Sequence, residues 1–320
     1  MKTAATHKQL GRAIGDLTPS PQHPALAQLV ASLKDRHGDC VTAVLFYGSC
    51  LRSGDPYDGL VDLYLIVDHY RCANSGLVKA LWNWLLPPNV FYAEFAHNGQ
   101  TVRSKYAIVS LADLNKGTSQ RWFHSYLWGR FSQPTAVAWC RDDTTRDIIE
   151  NNLAQSVVTF LNRVLPALPP QGSIQSLWSN GLRLSYGAEL RVESTARARE
   201  LTEANKAYYQ QVTRLAAPLL NVPCAISGAP PKQDYRTEIS SLRRFSSRIG
   251  WKMRAVQGKL LSLARLIKAL FTFDGGLDYI AWKLERHSGV HIDIPEKVRR
   301  YPLIFIWGLF WNLYRRGIFR

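Results

Sequence analysis

The chain has 320 residues, and 40 Lys+Arg against 24 Asp+Glu give it a formal net charge of +16. With 46% hydrophobic and 20% charged residues it can bury a core, which excludes general disorder, and its length favours more than one domain. The surplus is uneven: residues 236–320 hold 17 basic and 6 acidic side chains, a net of +11, which leaves only +5 for the first 235. That asymmetry points to an anionic partner, whether nucleic acid, a membrane surface or polyphosphate.

The first residues, MKTAATHKQLGRAIGDL, lack the apolar stretch of a secretory signal. Leu26–Leu33 reads as a helix that stops before Gly38. Val41–Tyr47 and Leu60–Val67 are apolar and rich in β-formers, so they read as strands, with a turn cluster from Asp55 to Gly59 between them. A helix over Leu77–Leu86 ends at Pro87-Pro88. Strands follow at Val90–Ala96 and Tyr106–Ser110, separated by an Asn98-Gly99 turn. From Trp122 onward the period becomes helical, most clearly where Leu153, Val157, Phe160, Leu161 and Val164 share one face. Pro166–Gly172 reads as a linker, and the Pro- and Gly-rich stretch Asn221–Asp234 as a boundary. A basic helix is expected over Leu242–Phe271, then a Gly275-Gly276 break, a short helix to Arg286 and an aromatic C-terminal segment. The five cysteines are widely spaced with no C-x-x-C, which argues against a disulfide framework or zinc site and for a reducing compartment.

The stretch that carries chemistry is Phe46-Tyr47-Gly48-Ser49-Cys50, followed by Val61-Asp62-Leu63-Tyr64-Leu65. A strand ends in Gly-Ser, and a second apolar strand carries an inward Asp. This resembles the nucleotidyltransferase signature of the DNA polymerase beta superfamily. Gly48 lets the backbone approach a phosphate, and the Ser49 hydroxyl and N–H groups can bind it. Asp62 can hold Mg²⁺ beside those phosphates. The superfamily usually places a second carboxylate two residues on, where this chain has Tyr64. Glu94 is the first candidate to replace it, because a lone acid in an apolar strand is costly unless paired or metal-bound. Asp68 shares the face of Asp62 by period two, at the strand end.

Later segments narrow the resemblance. Lys105-Tyr106-Ala107-Ile108-Val109-Ser110, then Trp122, then Tyr126-Leu127-Trp128-Gly129-Arg130-Phe131 with Pro134 follow the order of motifs in one family. That family is the mitochondrial translocator assembly and maintenance proteins, which are CTP:phosphatidate cytidylyltransferases. Leu184–Arg191 and the run from Ile249-Gly250-Trp251-Lys252 through Gly258-Lys259 to Leu270 are similar to two further motifs of it. The resemblance covers roughly residues 41–285. It implies an α+β fold: a polymerase beta-like nucleotidyltransferase domain with a mixed sheet over residues 1–147, and a helical, winged-helix-like domain over 148–235. A basic, membrane-associating helical region over 236–320 completes it. It implies Mg²⁺-dependent transfer of CMP from CTP to phosphatidic acid, giving CDP-diacylglycerol and pyrophosphate. Gly48, Ser49, Lys105 and Arg130 would bind the nucleotide, Asp62 and Glu94 the metal, with Asp62 and Lys105 as the catalytic pair. Two positions depart from the family. Cys50 stands where the family has Gly, and the stretch Asn115–Ser119 lacks the family's acid.

The last segment runs from Pro302 to Tyr314 in an apolar stretch, shorter than the roughly 20 residues that span a bilayer. Trp307 and Trp311 with Arg315 and Arg316 suit the headgroup boundary of an anionic membrane, so a peripheral protein is expected. The side would be the cytoplasmic face of an inner membrane, or the matrix side in an organelle. Arg243, Arg244, Arg248, Lys252 and Arg254 could instead track nucleic-acid phosphates, but no base-reading signature accompanies them. A nucleotidyltransferase with another acceptor, or a catalytically silent membrane scaffold, are the competing functions.

Overall fold

A computed structural model describes residues 2–73, 76–189, 195–272 and 292–300, together with positions 285, 305, 308, 311 and 315. The helices of the first half are α1 (Lys2–Leu17), α2 (Pro24–His37), α3 (Ser49–Ser53), α4 (Tyr70–Ala73), α5 (Leu77–Leu85), α6 (Leu111–Thr118) and α7 (Trp128–Phe131). Between them run β1 (Val41–Tyr47), β2 (Leu60–Val67), β3 (Asn89–His97), β4 (Gln100–Ser110) and β5 (Ala136–Cys140). These five strands form one mixed sheet in the order β3-β4-β2-β1-β5, in which β2 and β4 are parallel and the other neighbours antiparallel. The chain is therefore α+β, as expected.

Side-chain alternation splits the sheet between two cores. Val44 and Phe46 of β1 and Leu63, Leu65 and Val67 of β2 face α2, which packs Leu26, Leu29, Val30 and Leu33 against them. The opposite partners, Ala43, Leu45, Tyr64 and Ile66, face the helices of the second half. Those are α8 (Asp143–Val164), α9 (Ile174–Gly187), α10 (Thr195–Ala204) and α11 (Lys206–Ala216). α8 begins at an Asp142 cap, whose Oδ1 accepts from the Thr145 N–H at 2.6 Å, and its inner face continues the core through Leu153, Val157 and Phe160. The N-terminal helix α1 buries Leu10 and Ile14 in the same core and packs on α8 and α11.

Two sequence expectations change here. The helical period read from Trp122 onward is interrupted by β5, a short edge strand without clean in-out alternation. Asn221–Asp234 is not irregular chain: it forms most of a hairpin of β7 (Cys224–Ala229) and β8 (Lys232–Thr237). A three-residue β6 (Gln171–Ser173), in the stretch read as a linker, joins its β8 edge. Pro230-Pro231 make the turn, and Gly228, near the end of β7 at φ +83°, allows the strands to close, since a Cβ there would lie 2.4 Å from the Lys232 carbonyl oxygen. The Pro and Gly density marked a tight turn whose Tyr235 is buried in the core.

The basic helix α12 spans Ser241–Thr272, about 48 Å at 1.5 Å per residue. Its inner side is cationic and buried. Trp251 packs edge-on to Trp128 at 5.9 Å, and Arg254 Nε donates to the Phe123 carbonyl at 2.8 Å. Arg265 Nε donates to the Pro87 carbonyl at 3.0 Å, and Lys268 Nζ to the Leu86 and Pro88 carbonyls at 2.5 and 2.7 Å. Gly258 permits the closest approach: a Cβ there would lie 1.9 Å from the Ala188 carbonyl oxygen. Arg254 is 3% exposed, so it cannot track a nucleic-acid backbone as the sequence allowed.

Beyond α12, a short helix α13 (Glu296–Arg300) is described. The Gly275-Gly276 break, Trp307 and Arg316 lie outside the described residues, whereas Trp311 and Arg315 are exposed helical positions. No described helix is long and apolar enough to cross a membrane.

Candidate active site

β1 ends at Tyr47 and turns through Gly48 into α3. Gly48 has φ +94°, a conformation that favours glycine, and a Cβ there would lie 2.8 Å from Asp62 Oδ2. Backbone and space thus both demand glycine beside the carboxylate. Strand register supplies the neighbours of Asp62: Tyr47 across the antiparallel β1–β2 pair and Lys105 across the parallel β2–β4 pair. Lys105 Nζ stands 3.1 Å from Asp62 Oδ1. That contact is ionic and lacks hydrogen-bond alignment, so Oδ1 is buried with no hydrogen-bond partner.

Arg130 reaches the same place from α7. Its Nη1 donates to Tyr64 Oη at 2.7 Å, and its Nη2 lies 3.5 Å from Glu189 Oε2. The guanidinium also sits 4.5 Å from the Tyr126 ring centre, and the Arg265 guanidinium of α12 sits 4.3 Å from that same ring. Tyr64 Oη donates to Tyr126 Oη at 3.3 Å. Burial pushes the Tyr64 phenol well up. Burial also works against ionising Tyr126, yet the charges of Arg130 and Arg265 outweigh it and draw that phenol down. Behind this layer, His124 is buried and stacks on Tyr126 at 6.0 Å. Desolvation, then the charges of Arg265 and Arg130, depress its imidazole to about 3, so it is neutral at physiological pH.

Gly48, Asp62, Tyr64, Lys105, Tyr126 and Arg130 open into one cavity of about 620 Å³. Its described lining includes three cations, Arg52, Lys105 and Arg130, against two carboxylates, Asp62 and Glu189, which suits an anionic ligand. The exposed Ser49 hydroxyl stands at its rim.

Gly48, Ser49, Asp62, Lys105 and Arg130 therefore converge from four separate chain segments. Glu94 does not join them. It lies on the edge strand β3, opposite Arg103, and accepts from Arg103 Nε at 3.2 Å and from Tyr92 Oη at 2.7 Å. Its charge is offset by that pair and by solvent, and the edge position explains why an acid is tolerated in an apolar strand. Asp68 sits at the far end of β2, bound to Arg141 at 2.8 Å. The second carboxylate in the cavity is Glu189, from the stretch Leu184–Arg191. Tyr64, at the position of the superfamily's second acid, accepts from Arg130 instead.

The two departures from the family motifs fall away from the cavity. Cys50 points into the α2-side core, and its Sγ donates to the Leu60 carbonyl at 3.3 Å; burial raises the thiol to about 11. The stretch Asn115–Thr118 belongs to α6 and packs on α8, where Asn115 Oδ1 accepts from Asn152 Nδ2 at 2.6 Å. Gly117 accommodates Leu127 there, since a Cβ would lie 2.3 Å from Leu127 Cδ1.

No family model matches this chain, and no curated protein does either. The chemistry of the cavity must carry the functional reading. Mg²⁺ binds one or two carboxylates and completes its shell with phosphate oxygens and water. Asp62, with a buried oxygen that accepts no hydrogen bond in a cavity also lined by Arg52, Lys105 and Arg130, fits that requirement. Among the described residues no group of three His, Cys, Asp or Glu gathers.

Proposed function

We propose that this protein is a nucleotidyltransferase that moves CMP from CTP to phosphatidic acid, releasing pyrophosphate and forming CDP-diacylglycerol. The observation that carries the reading is the buried Asp62 oxygen without a hydrogen-bond partner, set beside Gly48 and 3.1 Å from Lys105 in a cationic cavity. Gly48 brings the backbone close to the triphosphate, and the Ser49 hydroxyl donates to it. Lys105 exchanges its contact with Asp62 for a phosphate oxygen once nucleotide enters, which frees Asp62 to hold Mg²⁺. When bound, that ion polarises the α-phosphate and neutralises the departing pyrophosphate. Arg130, kept protonated by Glu189 and the surrounding phenols, offers its fork to a phosphate of the nucleotide or the acceptor. The acceptor phosphate is already ionised, so no strong general base is required. Peripheral attachment at an inner-membrane surface completes the reading, because the acceptor is a lipid.

Incubating the purified chain with CTP, Mg²⁺ and phosphatidic acid vesicles should release pyrophosphate in step with CDP-diacylglycerol. Asp62→Ala should abolish both. Full activity in Asp62→Ala would remove Asp62 from the site. Turnover with a different acceptor in a panel would keep the nucleotidyltransferase and discard the lipid.

A further inference from the structure

α12 is amphipathic the wrong way round for a helix of a soluble core. Its buried side holds Arg254, Arg265 and Lys268, while its solvent side carries an apolar stripe. Leu242, Phe245, Ile249, Val256, Leu260 and Leu263 recur at steps of three, four and seven, each between 43% and 78% exposed. At 3.6 residues per turn they fall within about 60° of arc. Arg248, Lys252 and Lys259, all exposed, line one flank of the stripe. The helix has no Asp or Glu.

The stripe does not stand alone. α5, from the other half of the chain, packs beside α12 and exposes Leu77, Leu81, Trp84 and Leu85, each more than half accessible. Arg265 and Lys268 fasten the two helices together through the carbonyls of Leu86, Pro87 and Pro88, directly after α5. Rolling α12 to hide its stripe would pull these buried cations from their acceptors, so the apolar face is a fixed feature of the fold.

We infer that the joined outer faces of α5 and α12 form a docking surface for an anionic lipid bilayer. Charge complementarity selects this occupant. A second copy of the chain on the same face would set Arg248, Lys252 and Lys259 against their own counterparts. Nucleic acid would satisfy those cations but press phosphates onto a stripe of leucine and phenylalanine. A bilayer surface takes both: the apolar side chains sink below the headgroups, and the flanking cations meet lipid phosphates. Trp84 suits the interfacial depth. The α12 half of the surface falls within residues 236–320, where membrane association is expected from sequence. The α5 half and the outward apolar face lie beyond that expectation, and the surface rests on the proposed function only in supplying the membrane on which a lipid acceptor would be met.

The test is co-sedimentation of the full chain, without CTP, with vesicles of phosphatidylcholine alone or containing phosphatidic acid or phosphatidylglycerol. The wild type should partition onto either anionic vesicle and release as salt rises. Arg248→Gln/Lys252→Gln/Lys259→Gln should lose roughly a hundredfold in partitioning, given about fivefold per surface cation. Phe245→Glu/Leu260→Glu should lose a comparable amount, while calorimetric CTP binding stays as in wild type. Phe245→Ser/Leu260→Ser gives the same comparison if the glutamate pair does not fold. Wild-type partitioning in these variants would overturn the inference. A wild-type dimer that Leu260→Glu splits would also overturn it, by giving the face to a second copy. Because CTP plays no part, a protein that binds vesicles but transfers no CMP would defeat the proposed reaction and leave this surface standing.

Discussion

Two sets of cations on and around α12 live in opposite surroundings. Arg130, Arg254, Arg265 and Lys268 point inward and are held by carbonyls, phenols or Glu189. Arg248, Lys252 and Lys259 lie exposed along an apolar stripe. A sequence counts both alike. The inward set ties α12 to the cavity and fixes the orientation of the helix, and that orientation turns the outward set toward solvent. Three of the eight cations of what reads as a basic binding helix, Arg254, Arg265 and Lys268, are thus structural.

The contrast can be broken most severely at Arg130. Arg130→Ala leaves the half-buried Glu189 without its cation and Tyr64 without its donor, a loss of about 3 kcal/mol. Denaturant unfolding measures it, and CTP affinity should fall with it. Gly258→Val should come next. Its Cβ meets the Ala188 carbonyl, so α12 must lift from α9, at about 1–3 kcal/mol. Thermal unfolding reports this loss, and an unchanged midpoint would show that the close contact is not required.

Acid sharpens the comparison further. The unfolded chain protonates His124 near its ordinary value, whereas the folded chain resists until about 3. Between those limits the unfolded state binds the extra proton, so stability falls as pH drops through that window. His124→Gln should flatten this slope in unfolding curves taken from neutral pH downward. Lys268 acts at the other end. Burial, then the Arg265 charge, lowers its ammonium to about 7, so the unfolded state holds the extra proton above that pH. Stability should rise as pH climbs from about 7 toward the ordinary lysine range, and Lys268→Met should remove that rise. The smallest effect belongs to the outward set: Arg248→Ala should shift stability by less than about 0.5 kcal/mol.

The centre of the site was legible because it is written in local chemistry. Two apolar β-runs bounded by glycine gave β1 and β2, and Gly48, Ser49 and Asp62 lie on them or at their junction. Lys105 and Arg130 came from motif order, and only strand register and the path of α7 bring them to Asp62. Glu94 misled because composition cannot show that β3 is an edge strand with Arg103 opposite. Glu189 was hidden for the converse reason: its partner Arg130 lies 59 residues away in the chain. β5 is too short to reveal its period, and the β7–β8 turn used the same Pro and Gly residues that a linker would. The outward stripe of α12 was invisible because hydrophobic spacing shows an amphipathic helix without showing which side faces the protein.

The central claim is that Asp62 organises CMP transfer from CTP in this cavity. The direct test is formation of labelled CDP-diacylglycerol from CTP, Mg²⁺ and phosphatidic acid vesicles by the wild type and by Asp62→Asn. Labelled product from the wild type, reduced at least about a hundredfold in Asp62→Asn, is the expected result. No product from a folded, vesicle-bound wild type, or equal product from both proteins, would contradict it.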